Sequence, residues 1–179
     1  CTQLICCTST GNSESKRKNK TPVGLGAASL GDDHVFKIVF VGDRGTGKTS
    51  LIMSQKENRF MEDGVPPMLE SYDTTAQFDE QDISHSFWDT VGGEKYDTLR
   101  PLSYPGTDLF VITTSVDSPT SFENIRKKWI PEVNKGYPLV GKLIVGTKQE
   151  LREDDIKEGL QTYDEGVALA KEVGAIGYL

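Results

Sequence analysis

Residues 36–50 read FKIVFVGDRGTGKTS, and this stretch decides the fold. Phe36 to Val41 is a β-branched and aromatic run ending at Gly42, the pattern of a buried strand. Gly42 to Thr49 fits G-x-x-x-x-G-K-[ST], and the residues after Lys48 are predicted to form a helix. Between a strand and a helix, the loop amides form an anion-binding nest at a helix N-terminus. Lys48 is placed to reach the outer phosphates of a nucleotide, and the Thr49 hydroxyl to ligate Mg²⁺. Gly42, Asp43, Gly45, Thr46 and Gly47 complete the phosphate-binding candidates. Arg44 is the anomaly, because a bulky side chain stands where the backbone must approach phosphate oxygens closely.

Outward from this loop, residues 76 to 90 contain two strand-like segments turning near Asp79-Glu80-Gln81-Asp82. Asp108 to Val116 reads as another apolar strand and Lys142 to Thr147 as a shorter one. Ser121 to Val133 has helical spacing, with Phe122, Ile125 and Trp129 on one face. Thr162 to Val173 is predicted helical, with Val167, Leu169 and Ala170 apolar. Gly177-Tyr178-Leu179 reads as the start of a strand. Strands alternating with helices imply an α/β fold, a mainly parallel sheet with helices on both faces.

The 179 residues suffice for one domain with a real core. A net charge of −7 argues against general nucleic-acid binding, which favours a basic face. No apolar run approaches the roughly 20 residues of a membrane span. Cys1, Cys6 and Cys7 all precede the expected domain, so they are no disulfide framework, and a reducing cytosol fits them best. Residues 1–33 read as a flexible extension and 34–179 as the domain. Leu4-Ile5-Cys6-Cys7 followed by the basic Lys16 to Lys20 lacks the order of a secretory signal. It suits S-palmitoylation of Cys6 and Cys7 combined with attraction to anionic lipid. The chain does not begin with Met and is read as a piece of a longer one.

Further motifs sharpen the picture. Trp88-Asp89-Thr90-Val91-Gly92 resembles the D-x-x-G motif of small GTPases. Arg100 to Pro105 (RPLSYP), Ser118 to Ile125 (SPTSFENI) and Lys128 to Val133 (KWIPEV) resemble the Rho/Rac family in particular. The resemblance runs from about Val35 to Leu179. It implies a P-loop NTPase small G-domain that binds GTP or GDP with Mg²⁺. In such a domain Asp89 holds the metal through water and the Gly92 amide meets the γ-phosphate. Thr147-Lys148-Gln149-Glu150 matches the family's guanine motif, with Glu150 supplying its carboxylate on a longer stem, and Phe60 matches an aromatic residue packed against guanine. A plain core role for Phe60 is compatible with that one. The resemblance further implies effector binding through Phe60 to Tyr72 (switch I) and Gly92 to Leu102 (switch II), exchange factors and a monomer. It also implies an actin-linked role; within a cytoplasmic location, Cys6, Cys7 and the basic cluster point to the inner face of the plasma membrane. The family's last strand and helix are expected beyond Leu179, and the segment between Asp154 and Thr162 is shorter than the family's helical insert.

Against the family pattern, no catalytic residue is intact. Arg44 replaces a glycine beside the nucleophilic water, and Gly93 replaces the glutamine that orients that water. Pro67 replaces a threonine whose hydroxyl ligates Mg²⁺ and whose N–H meets the γ-phosphate, and proline supplies neither. Gly64 replaces a tyrosine that lies over the phosphates. The expected protein is a GTPase that hydrolyses very slowly. The competing expectation is a pseudo-GTPase interaction module that holds nucleotide permanently or not at all. His85 reads as a core histidine, His34 has no assigned role, Trp88 and Trp129 are expected to pack, and Glu150, Glu153, Asp154 and Asp155 form a solvated acidic run.

Overall fold

A computed structural model describes residues 34–61, 64, 71–78, 81–152 and 159–179. Six strands form one sheet in the order β2-β3-β1-β4-β5-β6. These are β1 (Phe36–Gly42), β2 (Ser71–Phe78), β3 (Gln81–Trp88), β4 (Leu109–Ser115), β5 (Gly141–Thr147) and β6 (Gly177–Tyr178). All pairs are parallel except β2 with β3, an antiparallel pair running from Ser71 opposite Trp88 to Phe78 opposite Gln81. Strand β1 lies between β3 and β4, and its later residues Val39 to Gly42 are buried; Lys37 sits at its half-buried start, donating to the Pro105 carbonyl at 2.9 Å.

Alternation sorts the core into two layers. Val39, Val41, Phe110, Ile112, Ile144 and Tyr178 point to one face. They meet Ile125, Trp129, Val133, Leu169 and Ala170 from α2 (Pro119–Asn124), the wide turn after it, α3 (Ile130–Asn134) and α4 (Tyr163–Val173). Phe40, Phe87 and Val111 point the other way, against Ile52 of α1 (Lys48–Glu57). Phe40 and Phe87 meet edge to face, with centroids 5.6 Å apart. The expected α/β fold, with helices on both faces of a mainly parallel sheet, is therefore the fold observed.

Several boundaries differ from those expected. β2 begins at Ser71 rather than near residue 76, because its polar, alternating sequence is held by pairing with β3 rather than by an apolar pattern. The helix expected over Ser121 to Val133 is interrupted by a π-helical turn at Ile125–Trp129. Pro131 has no N–H to return to Lys127, and the ladder widens just ahead of it. The strand expected to start at Gly177 is present, with Gly177 and Tyr178 pairing with Leu143 and Ile144. α4 starts on a reciprocal cap: Thr162 Oγ1 accepts from the Glu165 amide at 3.2 Å, and Glu165 accepts from the Thr162 amide at 2.8 Å.

His85 is half-buried on β3, its ring against Phe87 and its Nδ1 3.2 Å from the Ile83 carbonyl, a packing role as expected. His34 lies 3.4 Å from Asp108. Cys6, Cys7, the basic Lys16 to Lys20 cluster, Pro67 and the acidic Glu153, Asp154 and Asp155 lie outside the described residues.

Candidate functional site

β1 delivers the chain to Gly42 at the C-terminal edge of the sheet, and α1 starts at Lys48. The intervening loop turns through Gly45 and Gly47, both at φ +83°, a left-handed conformation that glycine adopts without a Cβ penalty. Beneath it, buried Thr46 donates through Oγ1 to the Asp43 carbonyl at 2.9 Å, and the same oxygen then accepts from Thr113 Oγ1 at 2.7 Å. The loop is thus supported by hydroxyls of β4.

Lys48 is buried, and its ammonium donates to the Gly42 and Asp43 carbonyls, each at 2.8 Å. Burial pushes its pKa down to about 8, partly opposed by the nearby Asp89 and Asp43 carboxylates. An ammonium has three donors, and two are taken by carbonyls. Its chemistry therefore suits one further anionic oxygen, and a phosphate would stabilise the charge that burial disfavours.

Beside it, Thr49 Oγ1 donates to Asp89 Oδ2 at 2.5 Å. A hydroxyl and a carboxylate are hard oxygen ligands suited to Mg²⁺, which takes few protein ligands and relies on substrate phosphates for others. Among the described residues no group of three or more His, Cys, Asp or Glu side chains is gathered for a metal. Thr49 and Asp89 would hold such an ion together with phosphate oxygens.

The segment after β3 closes over the loop. A Cβ on Gly92 would stand 2.3 Å from the Gly42 carbonyl oxygen and 2.6 Å from the Arg44 amide nitrogen, so only glycine fits. The carbonyl of Val91 accepts from Arg100 Nη1 at 2.8 Å. Arg100 is buried and pairs with Glu132 through both Nε (2.8 Å) and Nη2 (2.6 Å), while Nη2 also reaches Asp97 at 2.7 Å. Burial opposes its charge, but the Glu132 and Asp97 carboxylates more than offset that and raise its pKa. The Tyr104 hydroxyl donates to Glu132 at 2.5 Å, and burial together with that carboxylate raises its pKa. Gly93 has room for a side chain, the nearest atom to a Cβ there being a Tyr96 ring carbon at 3.6 Å. Arg44 is exposed and makes no hydrogen bond or ion pair with another described residue.

At the base-binding end, Thr147 Oγ1 donates to the Thr46 carbonyl at 2.8 Å, joining the guanine motif to the phosphate loop. Lys148 adopts φ 60° and its ammonium lies 3.4 Å from Asp117 Oδ1. Glu150 is exposed on the 3₁₀ turn Gln149–Arg152. Phe60 is 65% exposed just beyond α1, which corrects the reading of it as a core residue. The structure gathers Gly42, Asp43, Gly45, Thr46, Gly47, Lys48, Thr49, Asp89, Gly92 and Thr147 around one loop, and leaves Phe60, Lys148 and Glu150 exposed.

Trp129, expected only to pack, and Asn124, given no role of its own, touch this loop. Trp129 Nε1 donates to Asp43 Oδ1 at 2.8 Å, and Asn124 Nδ2 donates to Asp43 Oδ2 at 2.6 Å. The Asp43 carboxylate is therefore engaged by helix donors, and what Asp43 offers a phosphate is its backbone. A buried indole N–H needs an acceptor, and that need was the sequence signal for Trp129.

A glycine loop between the first strand of a parallel sheet and a helix, with a buried lysine and a Thr–Asp pair, defines a P-loop nucleotide-binding protein. Residues 37–179 match the Ras family, and the chain belongs to that family. It is a small GTP-binding signalling protein of a family that binds guanine nucleotides, usually with Mg²⁺, and acts through effectors and regulators.

Proposed function

We propose that this protein is a Rho/Rac-like GTPase that binds GTP or GDP with Mg²⁺ and hydrolyses GTP very slowly, acting through effectors that meet switch I and switch II. The observation that carries the reading is the surface facing the terminal phosphate. Gly93 carries no side chain to orient a water, although a Cβ there would fit at 3.6 Å from the Tyr96 ring, and Arg44 in the phosphate loop is exposed. Hydrolysis depends on positioning a water and neutralising charge, and glycine at position 93 has no group to do the first. Arg44 also crowds the place an incoming arginine finger would occupy. Single-turnover assays with Mg²⁺-GTP are expected to show very slow cleavage that activating proteins barely accelerate. Ordinary turnover would refute the reading.

A second reading, a pseudo-GTPase interaction module, is favoured by Gly64. It sits at φ +91°, and an added Cβ would meet nothing within 4 Å, so it places no side chain over the phosphates. Pro67, unable to make the usual switch I bonds, points the same way. The nucleotide that co-purifies separates the two: GTP supports the first, and an empty, folded protein supports the second. Thr147, Lys148, Glu150 and Phe60 are the proposed guanine contacts. Cys6 and Cys7 with the basic cluster are proposed to anchor the protein at the inner face of the plasma membrane, in keeping with an actin-linked role. Unchanged membrane recovery after Cys6→Ser and Cys7→Ser would reject that anchor.

A further inference from the structure

We propose that Asn124 and Trp129 are positioning residues for the phosphate loop, and that Arg100 extends their hold to the segment carrying Gly92. The inference rests on the loop binding a nucleotide polyphosphate.

Asp43 follows Gly42 directly, so its backbone belongs to the anion site while its carboxylate carries the wrong charge for it. A free carboxylate a few ångströms from phosphates repels them, and at low local dielectric that repulsion is substantial. Here both carboxylate oxygens are held on the helical side, one by the amide of Asn124 at 2.6 Å and one by the indole of Trp129 at 2.8 Å. Trp129 is fully buried and cannot swing away. The π-helical turn at Ile125–Trp129 sets its direction. Removing the extra residue of such a turn would rotate that side chain by roughly 100° about the helix.

Over the face of the same indole lies Arg100, its guanidinium carbon 4.5 Å from the ring centre. Arg100 in turn holds the Val91 carbonyl at 2.8 Å, and Gly92, the next residue, touches the loop backbone. Asp43, Trp129, Arg100 and Val91 therefore form one continuous set of contacts from the phosphate loop to the switch II segment. Glu132 fixes Arg100 by two hydrogen bonds, so the set is anchored to α3.

The test measures equilibrium binding of Mg²⁺-GDP to the full chain and to three single variants. Trp129→Phe keeps an aromatic ring under Arg100 and removes the donor together with part of the buried indole volume, and the Asp43→Ala background separates the two losses. Asn124→Ala removes the other donor at a half-buried site, and Asp43→Ala removes their shared acceptor. Trp129→Phe is expected to weaken GDP binding on the order of tenfold, the loss of one hydrogen bond to a charged group. In the Asp43→Ala background the further effect of either donor variant is expected to fall below twofold. The indole N–H resonance that Trp129→Phe removes should shift on GDP addition in the wild type, and that response should vanish in Asp43→Ala. If Trp129→Phe fails to fold, the Asn124→Ala and Asp43→Ala cycle carries the same comparison. Affinity retained within twofold in the donor variants, or losses that simply add, would overturn the proposal. A folded wild type that does not bind GDP would overturn the nucleotide reading as well, which distinguishes the two failures.

Discussion

Nucleotide binding should carry a proton-linked signature from Lys48. In the nucleotide-free fold, burial lowers its pKa to about 8, whereas a phosphate requires the charged ammonium and holds the pKa near or above its ordinary value of about 10.4. The sign follows directly. Below pH 8 the amine is already charged and affinity is flat. Above pH 8 each binding event must first protonate it, so affinity falls by a decade per pH unit until the bound-state pKa is reached. Between pH 7 and pH 9 the dissociation constant for Mg²⁺-GDP should rise about tenfold, or about 1.4 kcal/mol. At pH 8 binding should take up about half a proton, measurable by titration calorimetry in buffers of different ionisation enthalpy. Lys48→Gln, tested for folding first, provides the reference, because any slope it retains belongs to the nucleotide's own titration. Wild-type and variant curves that run parallel through pH 8 would refute the reasoning, and with it the claim that Lys48 is desolvated before nucleotide arrives.

Gly92→Ala forces a Cβ to within 2.3 Å of the Gly42 carbonyl. It should lower the unfolding free energy by about 1–3 kcal/mol in urea titrations, and an unchanged midpoint would show that this segment does not rest on the loop. Thr162→Ala removes the side-chain cap of α4. A loss of about 0.5–2 kcal/mol is expected by the same measurement, with GDP affinity unaltered; a neutral change would mean that the capping box contributes nothing.

The sequence made the layer arrangement legible because β1, β4 and β5 are short, strongly apolar runs and the glycine motif marks the strand–helix join. It was less informative where stability is supplied from elsewhere. β2 carries Ser71, Asp73, Thr74 and Thr75 and exists by pairing with β3, so no apolar period announced its start. Within the site, Lys48, Thr49 and Asp89 follow from local spacing or short motifs. The Asp43 contacts to Asn124 and Trp129 span 81 and 86 residues of chain, and no local pattern encodes a hydrogen bond at that separation. Phe60 was ambiguous for a related reason: an aromatic residue just after a helix has the same appearance whether it ends in the core or in solvent.

Tyr178 illustrates how two residues can specify a strand. Backbone bonds join Ile176 and Leu179 to β5 on either side of Gly177 and Tyr178, yet a strand this short distinguishes poorly between neighbouring alignments by backbone pairing, since a slipped one could form equivalent bonds. The ring, however, fills a notch with no room for side chains: a Cβ on Gly146 would lie 2.1 Å from its hydroxyl, and one on Gly166 would lie 2.3 Å from its ring. A slip of one residue in either direction would empty that notch and turn the ring to the opposite face of the sheet. The alignment of β6 is therefore written sterically, by one large residue and two missing methyl groups. Substituting either glycine would disturb a strand it does not belong to, or pairs with only from the neighbouring position, by erasing the mark that strand is read against.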